Sequence, residues 1–175
     1  MLLLIFIHFS MIHNPITLFN FSADSKLDNW RIVNDGVMGG RSEGYFEINE
    51  EGHGEFSGDV SLKNNGGFTS LRYYFPSTNV EHYKCFQLRI KGDGKPYQFR
   101  AKSDEAERFS YVFSFDTTGE WETIEVPFGE MFPSFRGRKL DMPNYPGAEV
   151  AEITFLIANN VEEKFKLEID WLKIK

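Results

Sequence analysis

The chain has 175 residues, with 19 Lys and Arg against 26 Asp and Glu and a formal net charge of −7; it fits one domain, and the charge argues against a duplex-binding module, which needs a basic face. At 41% hydrophobic residues it is not disordered by composition, and its single cysteine, Cys85, excludes an intramolecular disulfide framework and a cysteine-based zinc cluster. Aromatics make up 16% of the chain, with 18 Phe, a bias toward pleated, half-buried surfaces.

The first element is an apolar run over residues 1–9. It is too short to span a bilayer, which takes about 20 residues. It lacks the basic start and small-residue cleavage site of a secretory signal, and the first arginine, Arg31, comes too late for a mitochondrial presequence. The run reads either as a poor signal sequence or as a misplaced start with translation from Met11, the second preferred; the expected organisation is an apolar extension over 1–15 and one domain over 16–175. The expected location is the cytoplasm.

From Ile16 onward the pattern has period two, and strands are predicted at 16–21, 45–48, 55–62, 68–75, 84–91 and 97–102. Four more follow at 109–115, 121–126, 150–158 and 164–174. In the last, Lys164, Lys166, Glu168 and Asp170 alternate with Phe165, Leu167 and Ile169, one wet face and one dry. In 84–91 the same logic puts Phe86, Leu88 and Ile90 inward and leaves Cys85 with Gln87 and Arg89. Between strands, Asn65-Gly66-Gly67 and Gly92-Asp93-Gly94 offer residues tolerant of positive φ. The stretch 127–143, broken by Gly129, Pro133 and Gly137, is predicted as loop or very short helix. Strands at this spacing, with turns between them, point to one all-β domain, a sandwich or jelly roll.

Few residues arrange themselves for chemistry. Gly40-Arg41-Ser42-Glu43-Gly44 matches the G-x-S-x-G nucleophile elbow, but a strand pattern follows it where the elbow requires a helix. His8, His13, His53 and His82 have no ligand-like spacing. No nucleophile, base and oxyanion site assembles, so the expectation is no enzyme activity, no catalytic residue and no cofactor. More informative is the segment from Trp30 to Ser42. Asn34-Asp35-Gly36 reads as a turn whose side chains bond nearby backbone N–H groups, and Gly39-Gly40 permits close backbone approach to another loop or to a ligand. Its expected main role is a tight inter-strand loop packed by Trp30, Val37 and Met38.

Three pieces in order, from Asn34 to Ser42, from Phe56 to Leu62 and from Asn64 to Arg72, resemble the family of complex I intermediate-associated protein 30. Gly92-Asp93-Gly94-Lys95-Pro96-Tyr97, the run from Trp121 to Phe128 and the run from Phe165 to Asp170 continue the likeness, which covers about 18–175. The resemblance implies a galactose-binding-like jelly roll related in shape to carbohydrate-binding modules. It also implies an assembly or scaffolding role, as mitochondrial members serve NADH:ubiquinone oxidoreductase. Its family-motif loops, expected as the rim, comprise Asn34, Asp35, Gly36, Met38, Gly39, Gly40, Arg41 and Ser42 in one and Asn64, Asn65, Gly66, Gly67 and Phe68 in the other. Relatives of this shape often hold a structural calcium. Asp24 and Asp170 are the candidates if the terminal strands pair, with backbone ligands supplying the rest, although no metal is otherwise expected.

Two classes of function follow. A module that holds a protein client would dock through surplus aromatics, with Tyr73, Tyr74, Tyr111, Phe132 and Phe135 as anchors beside Arg136 and Arg138. A carbohydrate-binding module would instead use polar side chains and an aromatic on the concave face of the jelly roll. The candidates are Arg72, Gln87, Arg89, Gln98, Arg100 and Trp121, with Gln87 and Arg89 sharing a face, as do Gln98 and Arg100. Inward arginines are costly unless paired, so an ion-pair network with Asp and Glu is the favoured role for that set.

Overall fold

Alternation near the C-terminus builds the middle of one sheet. In a computed structural model, which describes residues 13–175, thirteen strands form. The first six are β1 (Ile16–Asn20), β2 (Trp30–Asn34), β3 (Glu43–Ile48), β4 (Gly54–Val60), β5 (Thr69–Asn79) and β6 (Cys85–Lys91). Then come β7 (Tyr97–Lys102), β8 (Ser110–Phe115), β9 (Trp121–Pro127) and β10 (Phe132–Phe135). The last are β11 (Arg138–Lys139), β12 (Glu149–Ile157) and β13 (Glu163–Ile174). The expectations for the run 1–9, for a start at Met11 and for the side chains of Val37 and Met38 lie outside the described residues.

The strands make two antiparallel sheets, the sandwich that the alternation implies and the jelly roll that the family resemblance implies. One sheet runs β3-β4-β13-β6-β9, with β1 also on β13; the other runs β11-β10-β8-β7-β12-β5-β2. β13 is long enough to serve two neighbours on one edge, pairing with β4 over Glu163–Ile169 and with β1 over Trp171–Ile174. Its register against β6 shifts between Ile169 and Trp171. That bulge turns Ile169 and Leu172 both inward, so the period-two pattern resumes out of phase.

Between the sheets the aromatics stack in clusters. Phe86, Phe99, Phe155, Phe56 and Phe165 fill the middle, with ring centroids 4.8–5.6 Å apart in the pairs that touch. Phe19, Phe21, Trp30, Phe46 and Tyr73 close one end. Tyr73 and Tyr111, expected as docking anchors, are instead buried in this core. The packing of Tyr73 on Trp30, with centroids 4.5 Å apart, explains where it went.

Three strands depart from the sequence pattern. β2 sits inside the segment expected as loop; as a five-residue edge strand it is held by pairing with β5 from Trp30↔Tyr73 to Asn34↔Thr69. β10 and β11 fall in the stretch expected as loop or short helix. β10 tolerates Pro133 because the β11 ladder reaches only Ser134 and Phe135; at Pro133 only the carbonyl is engaged on that side, accepting from the Leu140 N–H at 2.9 Å, so no N–H is needed. The same stretch does supply one short 3₁₀ turn, Phe128–Glu130.

Candidate functional site

The two family-motif loops meet on one buried carboxylate. Asp35 follows β2 at the head of a 3₁₀ turn and is 0% exposed. The Ser42 N–H and hydroxyl donate to it at 2.9 and 2.5 Å, and the Gly67 and Phe68 N–H groups at 2.6 and 3.3 Å. Burial pushes the Asp35 carboxyl up, but these hydrogen bonds outweigh it and hold the group below the ordinary aspartate range. Two more clamps tie the loops. The Asn64 amide donates to the Gly39 carbonyl at 3.2 Å, and the Ser61 N–H donates to the Ser42 hydroxyl at 3.0 Å.

This arrangement explains the glycines. A Cβ on Gly40 would lie 2.3 Å from the Asp35 carboxyl carbon, and one on Gly66 would lie 2.5 Å from Asp35 Oδ2. The close approach permitted by Gly39-Gly40 is therefore to another part of the protein. Positive φ in the second loop falls on Asn64 (58°) and Asn65 (59°) as well as Gly67 (132°), whereas Gly66 stays at −72°. Ser42, centre of the elbow-like string, is buried, donates to Asp35 and precedes β3, so it is a structural hydroxyl. Asn34 accepts from the Thr69 hydroxyl at 2.5 Å, and Arg41 is exposed.

Gly67 and Phe68 form one wall of a groove of about 450 Å³ across the outer face of the seven-stranded sheet. Its floor comes from strand register. Thr154 on β12 pairs with Arg72 on β5 and with Arg100 on β7, and Leu156 pairs with Ser70 and Gln98. Glu152, Thr154, Leu156, Ser70 and Ser134 are each at most 7% exposed although they face away from the core. Glu152 lies 3.8 Å from the Arg72 guanidinium and 3.4 Å from Lys102. Among the described residues Arg100 finds no carboxylate, and it donates to the Gln98 carbonyl oxygen at 3.2 and 2.7 Å. Burial, and then the Arg72 charge, lower the Arg100 guanidinium to about 10. At the rim, Arg108 and Arg136 sit 5.5 and 5.4 Å from the Phe135 ring centroid.

The structure thus divides the six sheet-face candidates. Arg72, Gln98 and Arg100 share the groove face. Gln87, Arg89 and Trp121 lie on the outer face of the other sheet, because β6 and β9 belong there. The Gln87 amide donates to Glu125 at 2.7 Å, the Arg89 guanidinium donates to the Trp121 carbonyl at 3.2 Å, and the His53 ring packs 4.5 Å from Trp121. Of the docking anchors, Phe135 lines the groove and Phe132 carries Lys139 5.3 Å from its ring centroid. Tyr74 faces a more open depression of about 940 Å³ that holds Asp104, Glu105 and Glu149.

Sequence reasoning missed Lys102, Glu152 and Arg108. The signals were present: Lys102 has the parity of Gln98 and Arg100, and Glu152 is the one charged residue in the predicted strand 150–158. The terminal strands do pair, and the Phe21 N–H donates to the Asp170 carbonyl at 2.9 Å. Among the described residues no group of three or more His, Cys, Asp or Glu side chains could hold a metal, so Asp24 and Asp170 do not make a calcium cage with other carboxylates. No helix among those residues is long and apolar enough to cross a membrane.

Comparison with known proteins agrees with this architecture. The family model described as complex I intermediate-associated protein 30 matches residues 19–169. The mitochondrial complex I intermediate-associated protein 30 of Mus musculus is 24% identical over 90% of this chain and 55% of its own length. Its Drosophila melanogaster counterpart is 24% identical over 90% of this chain and 62% of its own. The chain therefore spans little more than half of these relatives. A family 11 carbohydrate-binding module from Clostridium thermocellum, solved with a β-1,3-1,4-mixed-linked tetrasaccharide, superposes with a TM-score of 0.65 at 21% identity, covering 91% of this chain and 94% of that one. That likeness shows the fold.

Proposed function

Because the chain belongs to the complex I intermediate-associated protein 30 family, we propose that it is a non-catalytic module that holds a protein client, an assembly intermediate, in the groove of the seven-stranded sheet. The observation that carries this is the groove itself, whose polar floor is as buried as the core and whose wall is the second family-motif loop. Asp35 fixes that wall from within, so the residues that mark the family serve to shape the groove. The names of the mouse and fly relatives support an intermediate of respiratory complex I as the class of client.

A glycan in the same groove is the second reading, favoured by the likeness to a carbohydrate-binding module. Cross-linked capture with the intact protein in native extract separates the two. The expected result is a protein client retained by wild type and by Arg89→Gln but lost from Arg72→Gln/Arg100→Gln. Recovery of nothing above background, or of a client indifferent to those substitutions, sinks the proposal. If calorimetry instead shows the mixed-linked tetrasaccharide binding wild type and not the double variant, the glycan reading takes its place.

A further inference from the structure

We propose that the groove seats an acidic segment of its client, with side-chain carboxylates against Arg72 and Arg100; this rests on the reading that the groove holds a client. The chain as a whole carries −7, yet Arg72, Arg100, Lys102, Arg108 and Arg136 line the groove against one carboxylate, Glu152. Glu152 is shared between Arg72 and Lys102 and can offset one charge at most. Arg100 has only a neutral amide oxygen, and the buried Nε of Arg72 has no hydrogen-bond partner among the described residues. A half-buried guanidinium with no counter-charge, as at Arg100, or with one shared with a lysine, as at Arg72, is costly, and a ligand carboxylate relieves that cost while fitting the planar donor geometry.

The surroundings favour a peptide over an acidic sugar. The floor, Ser70, Ser134, Thr154 and Leu156, holds no ring on which a pyranose could lie, and the two rings that line the groove, Phe68 and Phe135, stand in its wall and rim. Phe135, at the rim, already has Arg108 and Arg136 packed against its ring. In an extended peptide, alternate side chains point the same way about 7 Å apart. Arg72 and Arg100 lie on either side of β12, two strand spacings or about 10 Å apart at their backbones. Their long side chains can converge on carboxylates so placed.

The test uses hexaglutamate, hexaglutamine and trigalacturonate as probes, titrated into the intact protein by calorimetry and by backbone NMR. Hexaglutamate is expected to bind, to shift signals of β5, β7 and β12, and to weaken as salt is raised. Arg72→Gln/Arg100→Gln is expected to weaken it by at least about tenfold. Glu152→Gln, which removes the competing carboxylate, is expected to tighten it about fivefold, an effect opposite to that of general damage to the fold. Hexaglutamine is expected not to bind. The proposal is overturned if hexaglutamate fails to bind wild type at millimolar concentration, if the double variant binds it equally well, or if trigalacturonate binds more tightly. Should client capture depend on the groove while hexaglutamate fails, the acidic seat falls and the client-holding function stands. Should hexaglutamate bind as expected while no client is captured, the function falls and the acidic seat stands.

Discussion

Replacing Asp35 by Asn keeps the shape of the side chain and exchanges one acceptor oxygen for a donor. Oδ1 takes one bond, from the Ser42 N–H, and Oδ2 takes three, from the Ser42 hydroxyl and the Gly67 and Phe68 N–H groups. In the milder orientation the new NH₂ faces the Ser42 N–H, so one charge-assisted bond is lost and a buried donor goes unpaired. That costs about 3 kcal/mol. For a domain of this size the melting temperature should fall by about 9 °C. Urea titration followed by tryptophan fluorescence across a pH series measures both size and origin. The folded carboxyl titrates below its unfolded value of 3.8. Its contribution is therefore full above the unfolded value and is lost as pH falls through the folded one. The gap between wild type and Asp35→Asn should stay level from about pH 8 to about pH 5 and close below about pH 4. A gap under about 1 kcal/mol at neutral pH, or one that widens in acid, refutes the role given to Asp35.

Other substitutions probe the packing and the division between the sheets. Gly40→Ala forces a methyl to within 2.3 Å of the Asp35 carboxyl carbon and should cost about 2 kcal/mol in a urea melt, whereas Gly129→Ala, with open space around it, should change stability by less than about 0.5 kcal/mol. Tyr73→Ala should cost about 4 kcal/mol by the same measurement, as a core aromatic and not a docking anchor. Arg89→Gln and Trp121→Ala lie on the opposite sheet, so calorimetry with hexaglutamate should find its affinity unchanged within about twofold.

Alternation made most strands legible. Phe86, Leu88 and Ile90 point inward as their parity requires, and so do Phe165, Leu167 and Ile169. Parity did not say which sheet a strand joins. Gln87 with Arg89 and Gln98 with Arg100 carry the same local signature, and only the pairing of β6 with β13 and of β7 with β12 sends them to opposite faces. β2 was hidden because an edge strand of five residues that runs into a glycine-rich loop takes its order from its neighbour β5. The motif loops were visible as residues and their purpose was not. That Gly40 and Gly66 both stand clear of one carboxylate is a long-range fact, joining positions 35 and 67 through the β2–β5 pairing.

A photo-reactive residue placed at Arg108 on the groove rim, with a second protein carrying it at Thr123 on the outer face of the other sheet, tests the central claim most directly. In native extract the expected result is a protein client cross-linked from position 108 and not from 123. A client linked from 123 alone, or equally from both positions, contradicts the assignment of the groove as the holding surface.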